Sequence, residues 1–294
     1  MIAAVLDIIK LLILAVVVAG IVVSLTFLTA PGNTTPPTQA GLSNATIAQL
    51  KGSQLYHSLS SPNQISLSTL SPASNSSSDY NVTYSGSVSF TGSISGIAVP
   101  LSFPVFVSNQ KAANDSKILM ALNSVPIIGN LNLSIVKLNG TIYTCTPSNV
   151  FSKNLTYQCT QSQTFSQGPL SLFTLSGSSI NVSVTQLYPS SYNSTPCVYM
   201  NSTFSLPKEG ADGIISSIAI VGGSNKGPIS SISGTLASCI SPDNNLPLTL
   251  NMVLVVQQTN SSTSFKISMV QTSSNQQVSD ASIRSLPGEI INPT

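Results

Sequence analysis

The sequence predicts a mainly β, antiparallel domain outside the cell behind a single membrane-spanning helix, and three observations carry that prediction. From about residue 80 onward, short alternating runs of apolar and hydroxyl side chains follow one another between Gly, Asn, Pro and Ser. Between Leu11 and Ala30 the stretch LLILAVVVAGIVVSLTFLTA holds no charged residue. Only 6% of the 294 residues are charged, against roughly 25% in an ordinary soluble protein, so polarity here comes from hydroxyls and amides.

The apolar stretch 11–30 is long enough as a helix to span roughly 30 Å of hydrocarbon. A secretory signal peptide has an apolar region of only about 7–15 residues and a small-residue cleavage site, and here Pro31 follows Ala30. Residues 1–30 therefore read as an uncleaved anchor. Asp7 and Lys10 lie on its amino-terminal side and the next Lys is Lys51, which points the amino terminus inward and the rest outward. Residues 31–43, PGNTTPPTQAGLS, have the composition of a stalk. From Asn44, Ile47, Leu50, Leu55, Tyr56 and Leu59 fall at partly helical spacing, with Ser43 or Asn44 as N-cap, so one short amphipathic helix weakened by Gly52 is expected.

The remainder of an outer domain at 44–290 reads as strands near 80–90, 98–107, 117–124, 131–138, 141–146, 155–160, 180–188, 196–205, 214–221, 229–240, 247–257 and 263–271. With almost no helix between them, a βαβ architecture is excluded. Asn139-Gly140 is the clearest hairpin turn, because both residues tolerate positive φ. GPLSLFTLSGS, between the sixth and seventh runs, lacks strict alternation and reads as a short helix or flap.

Two features agree with an oxidising exterior. Cys145, Cys159, Cys197 and Cys239 all lie beyond the anchor, with no CxxC pair and no nearby His, so disulfides are expected rather than zinc. Four cysteines allow three connectivities; the short segment between TIYTCT and LTYQCT favours Cys145–Cys159, which leaves Cys197–Cys239. Sequons N-x-S/T occur at Asn33, Asn44, Asn75, Asn81, Asn114, Asn132, Asn139, Asn154, Asn181, Asn193, Asn201 and Asn260. That is about twice what composition supplies, each being an acceptor hypothesis, although Ser/Thr-rich strands and turns generate sequons on their own.

Several function classes lack residues to carry them. The ten basic residues are thinly spread and the net charge is +2, which argues against a nucleic-acid partner. His57, the only imidazole, reads as an exposed helix residue rather than a catalytic base, and the eight acidic residues form no paired or metal-binding motif. Gly222-Gly223 belongs to no phosphate-binding loop. A non-enzymatic protein without cofactor or metal is expected.

The carboxyl-terminal third, SCISPDNNLPLTLNMVLVVQQTNSSTSFKISMVQTSSNQQVSDASIRSLPGEI, resembles the closing strands of the LolA-like and LppX-like lipoprotein-carrier superfamily. Asp243, Leu246 and Pro247 match its acidic residue and LP turn; Asp280, Ile283, Leu286 and Pro287 match a later step loosely, with Ile where the family usually has Phe. NGTIYTCTPSNVFSKNLTYQC resembles a hairpin of membrane-anchored archaeal relatives, and the resemblance spans about residues 44–288. It implies a strongly curved antiparallel sheet, a half barrel, whose concave apolar face is covered by one or two short helices and holds acyl chains. Leu50, Leu55, Leu170, Leu172, Phe173 and Leu175 would then line the ligand cavity, and the partners would be the membrane and a lipid or other hydrophobic ligand. The competing expectation is a structural surface glycoprotein, a filament or envelope subunit built as a β-sandwich without a cavity.

Overall fold

The computed structural model describes residues 42–60, 79–94, 97–112, 115–125, 129–147, 156–162, 181–206, 229–258, 261–275, 278, 280–286 and 289–291. The expected anchor, nearly all of the stalk, the 214–221 run and GPLSLFTLSGS lie outside these residues. Among the described residues no helix is long and apolar enough to cross a membrane.

Among the described residues the first elements are two short helices where one was expected between residues 44 and 60, α1 (Asn44–Lys51) and α2 (Gln54–Ser60). The break is local chemistry. Ser43 caps α1 by accepting from the Thr46 amide at 3.1 Å, and the Gly52 amide closes the helix on the Ala48 carbonyl at 2.9 Å. Ser53 then serves both ends of the gap. Its hydroxyl donates to the Leu50 carbonyl at 2.7 Å and accepts from the Tyr56 amide at 3.2 Å, so it ends α1 and starts α2.

Twelve strands follow among the described residues: β1 (Tyr80–Ile94), β2 (Ile97–Ala112), β3 (Asp115–Val125), β4 (Gly129–Leu138), β5 (Thr141–Pro147), β6 (Tyr157–Ser162), β7 (Asn181–Tyr192), β8 (Thr195–Leu206), β9 (Ile229–Ile240), β10 (Pro247–Gln258), β11 (Ser261–Asn275) and β12 (Glu289–Ile291). A third helix, α3 (Asp280–Arg284), lies between the last two. The hydrogen-bonded order is β12-β6-β5-β4-β3-β2-β1-β11-β10-β9-β8-β7. One pair departs from the antiparallel expectation: β12 runs parallel to β6, and at three residues it is too short to show a period in the sequence. The chain packs as two compact units. One holds residues 1–76, 88–102 and 168–269; the other holds 77–87, 103–167 and 270–294.

In the first unit, ladder registers fix which side chains share a face. Val198, Met200, Ser202 and Phe204 of β8 stand opposite Ile240, Ser238, Leu236 and Gly234 of β9. These in turn face or flank Leu250, Met252 and Leu254 of β10, and all these side chains are buried. The two serines fit because each hydroxyl donates to a carbonyl, Ser202 to Leu236 at 3.3 Å and Ser238 to Thr249 at 2.6 Å. The opposite face is polar at one end, where Thr203, Ser205 and Thr235 are exposed, and buried at the other, where Tyr188 stacks on Tyr199 beside the Cys197–Cys239 disulfide.

In the second unit, Tyr80, Val82 and Tyr84 of β1 alternate inward. The Tyr80 hydroxyl bonds Asn109, itself buried on β2 beside Val105 and Val107. Cys145 and Cys159 are register partners on β5 and β6 and form the second disulfide, fully buried. The short-range pairing read from the sequence is thus the observed one, and the second follows it.

Helix α3 is tied to this unit through β3. Lys117 donates from Nζ to the Ser282 and Ser285 carbonyls at 3.0 and 2.8 Å, which satisfies the open end of a five-residue helix. Asp115 pairs with Arg284 at 3.5 Å and accepts the Asn139 amide at 2.8 Å, while Ile283 is fully buried. Desolvation on β3 holds the Lys117 ammonium below its ordinary range.

Two measurements check this packing. A Cβ at Gly234 would come within 2.5 Å of Phe204 Cε1 and of the Val253 carbonyl oxygen, so Gly234→Ala is expected to lower stability by about 1–3 kcal/mol in a denaturant titration. Burial also pushes the Tyr80 phenol up to about 12 against the pull of Asn109, and burial plus its neighbour Tyr80 pushes Tyr84 higher still. Both pKa values are raised above the unfolded value of 10.0, so their contribution is complete below pH 10 and is lost as pH rises toward about 12 for Tyr80 and beyond that for Tyr84. Tyr80 alone accounts for about 3 kcal/mol. An alkaline absorbance titration should show these two phenols ionising only with unfolding.

Candidate functional site

The residues that could receive a hydrophobic ligand are on β7 to β10. Not one Asp, Glu, Lys or Arg occurs in these four strands. The apolar face therefore has no charge to desolvate when an uncharged chain lies on it, and no group that would select a charged headgroup.

The two short helices pack on β7 and β8. Leu50 and Leu55, expected to line a cavity, are 2% and 5% exposed, and Leu59 joins them at 1%. Leu55 and Leu59 are four residues apart on α2, and Leu50 continues their stripe across the Ser53 break. The other four expected cavity residues, Leu170, Leu172, Phe173 and Leu175, lie outside the described residues. Helices of eight and seven residues are too short to hold themselves in water, so packing of this leucine stripe keeps them folded.

Reading the sequence missed most of the sheet side of the site. Val198, Met200, Phe204, Leu236, Leu250 and Met252 form it, and their alternation within VYMNSTF and LTLNMVL was the available signal. Which strands lie side by side was not available from alternation. His57 is exposed on α2, as expected for a helix surface residue.

The sequons divide by position. Asn139 and Asn193 are exposed at the tips of two-residue hairpins, with φ of 50° and 47°. Gly140 and Ser194, next in each turn, have φ of 82° and 64°, so both tips are type I′ turns. Asn44 is exposed in α1. Asn81, Asn132 and Asn201 are half-buried within strands, and Asn181 begins β7. Asn33, Asn75, Asn114, Asn154 and Asn260 lie outside the described residues. The LP turn also has a structural basis: the Ser241 amide donates to the Leu246 carbonyl at 2.9 Å, Asn245 takes a φ of 56°, and Pro247 opens β10.

No family model matches the chain, and no curated protein matches it. Among solved structures it is similar to the ywiB protein from Bacillus subtilis, with 5% identity and a TM-score of 0.24 over 66% of this chain and 94% of that one. It is also similar to a DUF1329 family protein from Desulfovibrio piger ATCC 29098, with 10% identity and a TM-score of 0.27 over 71% of this chain and 91% of that one. Neither likeness reaches the level at which a ligand can be carried across.

Ser53 is the hinge of the helical cover, and its loss removes a cap worth about 1 kcal/mol. In Ser53→Ala, amide hydrogen exchange over residues 44–60 should quicken roughly fivefold while β8 and β9 amides exchange as before. Equal quickening in both places would mean that the helices and the sheet open as one body.

Proposed function

We propose that this chain is a membrane-anchored, extracytoplasmic and non-enzymatic protein that binds lipid or another hydrophobic ligand on the concave face of a curved β-sheet. The observation that carries the reading is the set of buried apolar side chains on the charge-free strands β7 to β10, with two short leucine-bearing helices packed on β7 and β8. The resemblance of the closing strands to the lipoprotein-carrier superfamily points the same way, and so does the charge-free stretch 11–30, which suits an anchor.

On this reading the face recognises an acyl or isoprenoid chain and leaves the headgroup in water. A chain methylene gains about 0.8 kcal/mol on burial and each displaced leucine forfeits about 1.5–3 kcal/mol, so only a long tail can displace the Leu50, Leu55 and Leu59 stripe and still bind. A tether makes free shuttling between membranes unfavourable and suits capture or presentation of lipid beside one membrane. A structural surface glycoprotein is the second reading, and the exposed hairpin-tip sequons favour it.

The two readings separate by mass spectrometry under non-denaturing conditions. Residues 40–294, purified without detergent, should carry a lipid adduct, and a fluorescent fatty acid should bind at micromolar concentration and be displaced by unlabelled lipid. A chain with neither adduct nor binding would exclude the lipid reading and leave the structural one.

A further inference from the structure

The twelve sequons look alike in sequence, yet the fold makes two of them unlike the other described ones. We infer that Asn139 and Asn193 are the acceptors for N-linked glycan within the described strands, one at the β4–β5 tip and one at the β7–β8 tip. The inference rests on the extracytoplasmic placement of the β domain proposed above.

A transferase must reach the Asn carboxamide and the hydroxyl two residues later together. At the β7–β8 tip Asn193, Ser194 and Thr195 are all exposed, and at the β4–β5 tip Asn139 and Gly140 are exposed with Thr141 following at half exposure. A two-residue turn can enter a transferase cleft without opening the ladder behind it. The other described sequons fail on one group or the other. Asn132 is half-buried and the hydroxyl residue of its sequon, Ser134, is 2% exposed. Asn201 lies inside β8, which pairs with both β7 and β9. The Oδ1 atom of Asn81 accepts from Ser108 at 3.5 Å. The Asn44 sequon is wound into α1, with the Thr46 hydroxyl bonded to Ser43 at 2.8 Å. Asn181 heads β7, paired with Ser205.

Turn chemistry explains Asn at both tips, since Asn tolerates positive φ. It does not demand Thr two residues later at both. The donor would be an oligosaccharide linked through phosphate to a polyprenyl lipid. The Asn Nδ2 bonds to the anomeric carbon, the carbon–oxygen bond to phosphate breaks with its electron pair leaving on the phosphate, and one amide proton passes to a base of the transferase. No oxidant or reductant is needed. Bulky hydrophilic glycan at the β7–β8 tip would also supply the solvation that four charge-free strands lack.

Glycopeptide mass spectrometry on the full chain from its native membrane tests this, alongside labelling of intact cells with a membrane-impermeant reagent. Glycan is expected on Asn139 and Asn193 and absent from Asn81, Asn132 and Asn201. Thr141→Val and Thr195→Val keep the turn asparagines and a β-branched strand start, so each should fold and lose the mass of one glycan; Thr141→Ser and Thr195→Ser should retain it. Unmodified tips on a domain that the reagent reaches would overturn the inference and leave the extracytoplasmic reading intact. A domain that the reagent does not reach would overturn both. Equal occupancy at Asn132 and Asn201 would show modification before folding and overturn selection by the fold.

Discussion

Burial of one uncharged apolar face on β7 to β10 is the constraint on which the first unit depends. Val198, Met200, Phe204, Leu236, Leu250 and Met252 can leave water only if the strands keep one register, because a slip of one residue would turn Thr203, Thr235 and Asn251 inward in their place. The same constraint explains the small residues on that face. Ser202 and Ser238 are tolerated because each finds a carbonyl, and Gly234 leaves the space that the Phe204 ring occupies. It also explains the helices, which have too few residues to persist without the leucine stripe that the sheet receives.

Charge is distributed in a way that fits a division of labour. The strands β7 to β10 carry none, whereas β2, β3 and β4 carry Lys111, Asp115, Lys117 and Lys137. In the second unit these groups hold chain ends and turns: Lys117 closes α3, and Asp115 ties Arg284 to the Asn139 turn. Polar chemistry there serves to fasten structure. Along β7 to β10, which carry no charge, solvation comes from hydroxyls, amides and, on our inference, glycan.

Disulfides mark each unit once. Cys145–Cys159 joins directly opposed residues of neighbouring strands, and Cys197–Cys239 crosses from β8 to β9 on the face opposite the apolar one. Closing about 14 residues of chain removes denatured-state entropy worth roughly 3 kcal/mol, and the 42-residue separation of the second removes somewhat more.

The period-two alternation of the chain by itself determined where eleven of the observed strands lie, because side-chain direction along a strand is a local property. Local chemistry also determined the Asn139-Gly140 turn and the Cys145–Cys159 staple. Tertiary structure alone decided what lies far apart in sequence. It set Thr83 against Thr272 and Ser273, put Phe204 over Gly234, and docked α3 on Lys117. It split one expected helix at Ser53, whose two hydrogen bonds depend on geometry rather than propensity. It also separated two hairpin-tip sequons from others identical in pattern. Composition determines that a sequon exists, but only the pairing of strands on either side determines whether its asparagine and hydroxyl stand in water.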